Sequence, residues 1–250
     1  MLLDVRNHYE SRIGYFVDPK TGEAALRPAI RRFSQWPQYV KRQMSRLGES
    51  KIPGSKQIMT YCTGGIRCEK GARFLQENMK KEGDRVCTLQ GGIAAYLTWM
   101  DEEINSGRKC PEDSLFRGRN YVFDARGSTG LISSPAVEPV STCHTCESPC
   151  DRLSKCRSKG CHLVLVVCER CESGDPRCCQ NCEEFDEQAC SKDAETEKSR
   201  PRLICACERD REAELWGAEE EKVPKTQGWR KAKRKNQNAN GINIQVETYK

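Results

Sequence analysis

The sequence predicts an α/β fold, a parallel sheet flanked by helices, followed by a small Cys-rich module and a charged tail. Between Met1 and Cys110, short apolar runs alternate with helical segments, which is the pattern of βαβ units. Thirteen of the 17 cysteines lie between positions 143 and 207. The mean hydropathy of −0.78 is low, so we expect part of the chain to lie outside any core.

A chain of 250 residues is long enough for one ordinary domain and a small one. Its end is acidic and then basic, with few large apolar side chains, and such composition is typical of disorder. We therefore predict an α/β domain, a connecting segment, a Cys-rich module and a mostly disordered tail, at residues 1–110, 111–142, 143–190 and 191–250 respectively.

The α/β domain should be built from three short strands and three helices. A possible N-cap at Ser34 and Pro37 in the first turn indicate where the first of these helices begins. The strands are predicted at 2–6, 57–62 and 85–90, and the helices at 34–47, 69–81 and 94–104. Further along the chain, an extended segment is predicted at 115–126 and an apolar strand at 162–168.

One loop has the residues that nucleophilic sulfur chemistry requires. Cys62 ends a predicted strand, and a helix begins a few residues later, after Thr63, Gly64, Gly65 and Ile66. Inward backbone N–H groups, the positive end of the helix and the cation of Arg67 would all favour a thiolate. We therefore expect the pKa of Cys62 to fall below its usual value of about 8.5. Such a thiolate can accept a sulfane sulfur as a persulfide.

Two readings of the cysteines in this region stay open. A lone Cys is more often a buried structural residue, but strand, cysteine, Gly-Gly, Arg and helix occur here in the order that favours a nucleophile at Cys62. Cys68 falls in the first helical turn. It could resolve a persulfide or sulfenate on Cys62, or be a passive small residue.

The Cys-rich module contains three closely spaced C-x-x-C pairs, which is typical of tetrahedral zinc–thiolate sites. Disulfides are the alternative, but MLLDVRNHYE lacks the features of a secretory signal, which favours a reducing compartment. The sequence does not fix the pairing. We predict one site from Cys143, Cys146, Cys168 and Cys171, and a second from Cys156, Cys161, Cys179 and Cys182. Cys205 and Cys207, in polar tail sequence, are expected to be incidental.

Several motifs resemble those of known proteins. LLDVRN, YCTGGIRCEKGARFL and LQGGIAAYL resemble the rhodanese fold. CTGGIRCEK, GRNYVFDAR and the Cys-rich stretch resemble, more narrowly, the rhodanese-domain subfamily of oxygen-dependent tRNA uridine hydroxylases, which make 5-hydroxyuridine at the wobble position. The resemblance covers about residues 2–182.

This resemblance implies roles for particular residues. Cys62 would be the persulfide position, with residues 63–67 as its loop. Asp4 and Arg6 match a D-x-R that forms a structural ion pair near the loop, while Phe123, Asp124 and Arg126 match the family's F-D-x-R. Family members also carry a ferredoxin-like N-terminal domain and a first rhodanese strand, so we expect a further segment before Met1. The loop from Cys62 to Arg67 is shorter than in related phosphatases, which disfavours phosphatase activity.

Three functions are compatible with the sequence. The resemblance implies an enzyme that hydroxylates a tRNA uridine with O₂ as co-substrate and Cys62 as an essential residue. A sulfurtransferase acting on a small sulfur donor and a thiol acceptor is the second. A non-catalytic zinc-bearing scaffold that binds RNA or protein is the third.

The net charge of +6 and the basic run at 225–235 around Trp229 are compatible with RNA. No apolar run approaches the ~20 residues of a membrane span. The cysteine usage favours a cytoplasmic location, with an organelle as the alternative if a segment precedes Met1. The oligomeric state is left open.

Overall fold

A computed structural model of the protein describes residues 1–48, 57–79, 83–134, 137–190, 205–216 and 248–249. The helices and strands of these segments are, in chain order, β1 (Leu2–Asp4), α1 (His8–Arg12), β2 (Gly14–Phe16), α2 (Trp36–Gly48), β3 (Gln57–Tyr61), α3 (Ile66–Asn78), β4 (Arg85–Leu89), α4 (Gly92–Asn105), β5 (Phe116–Gly118), β6 (Asn120–Tyr121), β7 (Ser128–Thr129), β8 (Leu153–Lys155), β9 (Val164–Val166), α5 (Glu169–Glu172), α6 (Gln180–Cys190), α7 (Ala206–Trp216) and β10 (Thr248–Tyr249). Short 3₁₀ turns precede α2 and β5.

The central sheet is parallel, with the strand order β1-β3-β4-β10. Leu3 lies opposite Thr60, and Ile58 lies opposite Val86. Parallel neighbours need a crossover, which α3 provides between β3 and β4. The predicted parallel sheet flanked by helices is therefore confirmed.

Helices cover both faces of the sheet, as its apolar strands require. On one face, Leu3 and Val5 pack with Trp36 of α2 and Leu75 of α3. The second core lies around α4 and the β2–β5 pair, and it consists of Phe16, Ala25, Tyr61, Ile93, Leu97, Met100, Phe116 and Leu131. Gly71 lets α3 pack closely on Val5 and on Trp36 of α2, because a Cβ there would lie 2.9 Å from Val5 Cγ1 and 3.2 Å from Trp36 Nε1.

Two helices begin earlier than their apolar periodicity predicts. α3 begins at Ile66 rather than at 69, and α4 begins at Gly92 rather than at 94. Each follows a glycine with a positive φ, +90° at Gly65 and +66° at Gly91. Glycine can turn the chain in this conformation at little cost, so the helix begins directly after the loop.

The connecting segment joins the two modules. β5 pairs with β2 in antiparallel orientation, and β6 pairs with β7. In the Cys-rich module, β8 and β9 form an antiparallel hairpin, so only 164–166 of the predicted strand 162–168 is extended sheet. Ile13 is buried among the cysteines, and Tyr121 packs against them. The Cys-rich core thus includes side chains from outside the predicted module.

Two described elements lie within residues 191–250, the segment that we predict to be mostly disordered. The structure describes helix α7, and it describes β10 beside β4 in the central sheet. Cys205 is buried at the start of α7 and packs with Cys207 against the Cys-rich core, while Glu208 pairs with Arg31. These contacts come from distant parts of the chain, which composition does not reveal. The basic run at 225–235 lies outside the described residues. Of the described helices, none has the length and apolar character needed to cross a membrane.

A fully buried ion pair lies at the end of β1. The side chains of Asp4 and Arg6 are both inaccessible to solvent, and Arg6 Nη2 lies 2.7 Å from Asp4 Oδ2. Arg6 also donates a hydrogen bond to the carbonyl of Gly14, which fixes the start of β2. The same D-x-R spacing recurs at Asp124 and Arg126, where the pair is exposed.

The two D-x-R pairs predict opposite responses to one substitution. Asp4→Asn should destabilise the fold by about 3–5 kcal/mol, because the Arg6 charge would stay buried without its counter-ion. Asp124→Asn should leave the urea unfolding midpoint unchanged, since water solvates the charges of both Asp124 and Arg126. Urea denaturation followed by circular dichroism measures both. Equal midpoints for the two variants would contradict this account of Asp4.

Candidate active site and metal centres

The reactive loop lies at the carboxyl edge of the parallel sheet, where the ends of neighbouring strands meet. Cys62 directly follows β3, and Gly91 and Gly92 follow β4 after one intervening residue. Cys62 is 1% exposed. The amide of Ile93 donates to Cys62 O at 2.9 Å, and the amide of Ala94 donates to Thr63 O at 3.0 Å. The first turn of α4 thus holds the backbone of the loop.

Gly92 makes this close approach possible. It has a φ of +63°, and a Cβ at this position would lie 2.4 Å from Cys62 O and 2.7 Å from the amide nitrogen of Gly65. Any residue with a Cβ at this position would push the loop away from α4. The Gly91-Gly92-Ile93 turn is therefore needed to position the backbone of the Cys62 loop. The turn follows β4, whereas the loop follows the neighbouring strand β3.

The surroundings of Cys62 lower the pKa of its thiol to about 6. The largest cause is a hydrogen bond from the Cys68 thiol; burial opposes it, while the Cys68 amide, the Arg67 charge and the Arg67 amide assist it. The amide of Gly65 also donates to Cys62 Sγ, at 3.2 Å. With this pKa, the sulfur is mainly a thiolate at pH 7.

Cys68 has a role that neither sequence reading included. Its side chain is inaccessible to solvent, and burial together with the neighbouring sulfur of Cys62 raises its pKa far above that of a free thiol. Cys68 therefore stays protonated, and its thiol is the donor in a hydrogen bond to Cys62 Sγ.

Arg67, the predicted cation of the loop, is held by a buried carboxylate. Its Nη1 and Nη2 each lie 2.6 Å from an oxygen of Glu10, a carboxylate with no solvent exposure. Thr63 completes the group, because its Oγ1 accepts from Arg67 at 3.1 Å and donates to Glu10 at 3.2 Å. Most of the Arg67 charge is thus compensated, and Arg67 acts mainly to fix the loop on α1.

Sequence reasoning missed Glu10. The only signal was its spacing from Asn7, typical of a capping box at a helix start, where the Asn7 amide donates to Glu10 Oε1 at 3.2 Å. This pattern explains the start of α1. It does not indicate that the same carboxylate binds an arginine in α3, far along the chain.

An aromatic surface adjoins the loop. Phe123 is 65% exposed, and its ring centroid lies 5.6 Å from Arg67 Cζ. Tyr121 packs edge-on against Phe123 at 4.9 Å, and Tyr9 packs against Tyr121 at 5.5 Å. The F-D-x-R segment therefore presents an exposed ring beside the guanidinium that anchors the loop.

A groove of about 840 Å³ extends from this ring along the junction with the Cys-rich module. Its acidic side chains are Asp124, Asp151 and Glu172, and its basic side chains are Arg119, Arg126, Arg152, Lys155 and Arg157. The groove therefore has an excess of positive charge. Several of its cations are held by ion pairs, such as Arg119 with Asp151 at 3.6 Å.

The four cysteines of the first predicted metal site lie together in the structure. The sulfurs of Cys143, Cys146, Cys168 and Cys171 all lie within 4.8 Å of one another, with 3.7 Å between Cys146 and Cys168. Ligands at ~2.3 Å from a tetrahedral zinc ion lie about 3.8 Å apart, so this donor set fits such an ion. None of the described cysteines forms a disulfide.

The second site differs from the predicted set by one residue. The four clustered sulfurs belong to Cys156, Cys161, Cys178 and Cys182, so Cys178 replaces the predicted Cys179. The C-x-x-C spacing favoured Cys179. The turn that leads into α6 instead brings Cys178 to 3.8 Å from Cys161 and 3.3 Å from Cys182. Cys179 clusters with Cys178, Cys182 and Cys205. Neither His144 nor His162 belongs to these sets.

The chain combines a parallel sheet, a cysteine loop at its carboxyl edge and a Cys-rich extension, and it is similar to proteins of the rhodanese family. Residues 117–193 match the family model described as Rhodanase C-terminal. The chain resembles curated proteins named tRNA uridine(34) hydroxylase. It is 34% identical over 172 residues to that of Chlamydia abortus, covering 68% of this chain and 45% of the relative.

Two further relatives with this name show a similar identity and coverage. The protein of Leptospira interrogans is 35% identical over 173 residues, which are 68% of this chain and 40% of the relative. That of Cronobacter sakazakii is 35% identical over 175 residues, which are 68% of this chain and 42% of the relative. The chain thus matches less than half the length of each of these relatives.

The hydrogen bond from Cys68 predicts a change in the reactivity of Cys62. Cys68→Ala should raise the pKa of Cys62 by about 1 to 2, because a hydrogen bond to a charged group contributes about 1.5–3 kcal/mol. Mass spectrometry of the peptide containing Cys62, after brief iodoacetamide treatment between pH 4 and pH 9, gives this pKa.

Cys87→Ala is the matched control, since Cys87 is also buried but lies within β4. The wild type and this control should be half-reactive near pH 6, because only the thiolate is alkylated. An unchanged pH profile in Cys68→Ala would contradict the role given to Cys68.

Proposed function

We propose that this chain provides the catalytic rhodanese-like part of an enzyme that hydroxylates the wobble uridine of tRNA to 5-hydroxyuridine. O₂ is the co-substrate implied by the family resemblance, and Cys62 is the essential residue. The observation that carries the proposal is the lowered pKa of Cys62, about 6, in a chain that resembles tRNA uridine(34) hydroxylases.

The surface around the loop supports a nucleic-acid substrate. An exposed aromatic ring can stack on an unpaired base, and Phe123 presents one beside Arg67. The groove next to Phe123 carries more basic than acidic side chains, which suits a phosphate backbone. A uridine stacked on Phe123 would lie near the loop that holds Cys62.

The Cys-rich module serves as a structural support in this proposal. Four thiolates around one ion are a donor set that zinc prefers, and zinc bound there would supply folding free energy to a module with few large apolar side chains. Because Ile13 packs among the cysteines, the folded module would also steady the end of α1, from which Glu10 anchors Arg67.

The direct test is to substitute Cys62 in the organism's own gene. Cys62→Ser should abolish 5-hydroxyuridine in total tRNA, measured by liquid chromatography and mass spectrometry of nucleosides, because a hydroxyl is not ionised at neutral pH. Cys87→Ser is the control and should keep the wild-type amount. Wild-type levels of 5-hydroxyuridine in Cys62→Ser cells would refute the proposal.

A matching Cys143→Ser strain separates the scaffold hypothesis from the catalytic one. If Cys62→Ser leaves the nucleoside intact while Cys143→Ser abolishes it, the chain acts through its Cys-rich module. If both substitutions abolish it and only Cys143→Ser lowers the amount of protein, Cys62 acts in catalysis and the module acts in folding.

Sulfur transfer is a second candidate, favoured by the thiolate at Cys62 and its Gly65 amide donor. The thiolate would attack the outer sulfur of thiosulfate, and the S–S bond of the donor would break as sulfite leaves with the electron pair. The Cys62 persulfide would then pass its sulfur to cyanide or to an acceptor thiol.

This activity predicts thiocyanate formation from thiosulfate and cyanide, measured as its iron complex. Turnover should disappear in Cys62→Ser and persist in Cys110→Ser, an exposed cysteine outside the loop. It should fall below about pH 6 as the thiolate is protonated. If the wild-type chain forms no thiocyanate, thiosulfate-dependent sulfur transfer is excluded.

A further inference from the structure

The second metal cluster is larger than one ion requires. Its four sulfurs belong to Cys156, Cys161, Cys178 and Cys182, and another set consists of Cys178, Cys179, Cys182 and Cys205. The two sets share Cys178 and Cys182, so together they contain six cysteines. We propose that these six cysteines bind two divalent metal ions, with Cys178 and Cys182 bridging them. This inference is independent of the reaction at Cys62.

The distances around Cys178 support a bridging role. Its sulfur lies 3.8 Å from Cys161, 3.3 Å from Cys182, 3.8 Å from Cys179 and 3.7 Å from Cys205. A sulfur in a tetrahedral site with one ion has only three neighbours at about 3.8 Å. Here four sulfurs lie near that distance, and Cys156 lies within 4.8 Å as well. A bridging sulfur between two tetrahedra has five such neighbours.

The remaining four cysteines divide between the two ions. Cys156 and Cys161 lie with the shared pair in one set, and Cys179 and Cys205 lie with it in the other. Each ion would then have two terminal and two bridging thiolates. This gives both ions the four sulfur ligands that a closed structural zinc site requires.

Backbone amides surround the terminal sulfurs. The amide of Cys178 donates to Cys156 Sγ at 3.4 Å, and that of Leu163 donates to Cys161 Sγ. On the other side, Cys179 Sγ accepts from the amides of Cys182 and Cys207. Such donors offset the negative charge of metal-bound thiolates.

Charge balance also favours two ions. Two divalent ions and six thiols give a cluster of net charge −2 and release six protons to solvent. One ion with six thiolates would leave a charge of −4 in a largely buried site, which is costly. One ion with four thiolates would leave two sulfurs of the cluster as neutral thiols.

The second ion would have a structural consequence for α7. Cys205 immediately precedes α7, and Glu208 in the first turn of this helix forms an ion pair with Arg31. A metal bond to Cys205 would therefore hold α7 against the Cys-rich module, while the ion pair holds it to the segment before α2. This gives Cys205, in the tail, a defined role.

The test is the metal content of the full chain. After expression with zinc and removal of loosely bound metal, plasma mass spectrometry should find three zinc ions per chain, one in the first site and two in the six-cysteine cluster. Cys205→Ser and Cys179→Ser should each reduce this number to two. Cys207→Ser should keep three, because Cys207 belongs to neither set. Two ions in the wild-type chain would overturn the proposal.

A spectroscopic measurement on the wild-type chain is independent of any folding defect in the variants. In protein loaded with ¹¹³Cd, two of three resonances should show scalar coupling through the shared sulfurs, and the third should be uncoupled. Three uncoupled resonances would exclude bridging thiolates. Iodoacetamide reactivity of Cys62 at pH 7 reports whether the α/β domain of each variant stays folded.

Discussion

The close contact between two glycine-containing turns at the carboxyl edge of the sheet is the constraint on which the reactive site depends. Gly92 lies so near the carbonyl of Cys62 and the amide of Gly65 that a Cβ there would clash with both. This contact fixes the loop backbone, and the backbone in turn aims the Gly65 amide at Cys62 Sγ. Without it, the first turn of α3 would lose its position relative to the sulfur.

Two buried carboxylates stabilise this region through arginines. Asp4 is paired with Arg6 behind the loop, and Glu10 is paired with Arg67 at its end. Each carboxylate by itself would disfavour a thiolate nearby, since like charges repel. Because each is neutralised by a guanidinium, the hydrogen bonds to Cys62 decide its pKa.

The chain uses cysteine sulfur in two physically different ways. Cys62 is ionised by hydrogen bonds from amides and from the neutral thiol of Cys68, so it needs no metal to be a thiolate. The sulfurs of the Cys-rich module mainly face one another. Thiolates packed together in this way repel, and they require a cation to be stable. One arrangement therefore leaves a reactive sulfur, and the other suits a structural metal centre.

By itself, the sequence determined the parallel α/β class, the Cys62 loop and the four cysteines that form the first cluster. These features follow from patterns within a few residues, such as strand–glycine–helix order and C-x-x-C spacing. Only the tertiary structure decided that Glu10 binds Arg67, that Cys178 takes the place of Cys179, and that Cys205 joins the cluster. The physical reason is that each of these contacts joins side chains from separate elements, and their distances depend on packing rather than on spacing along the chain.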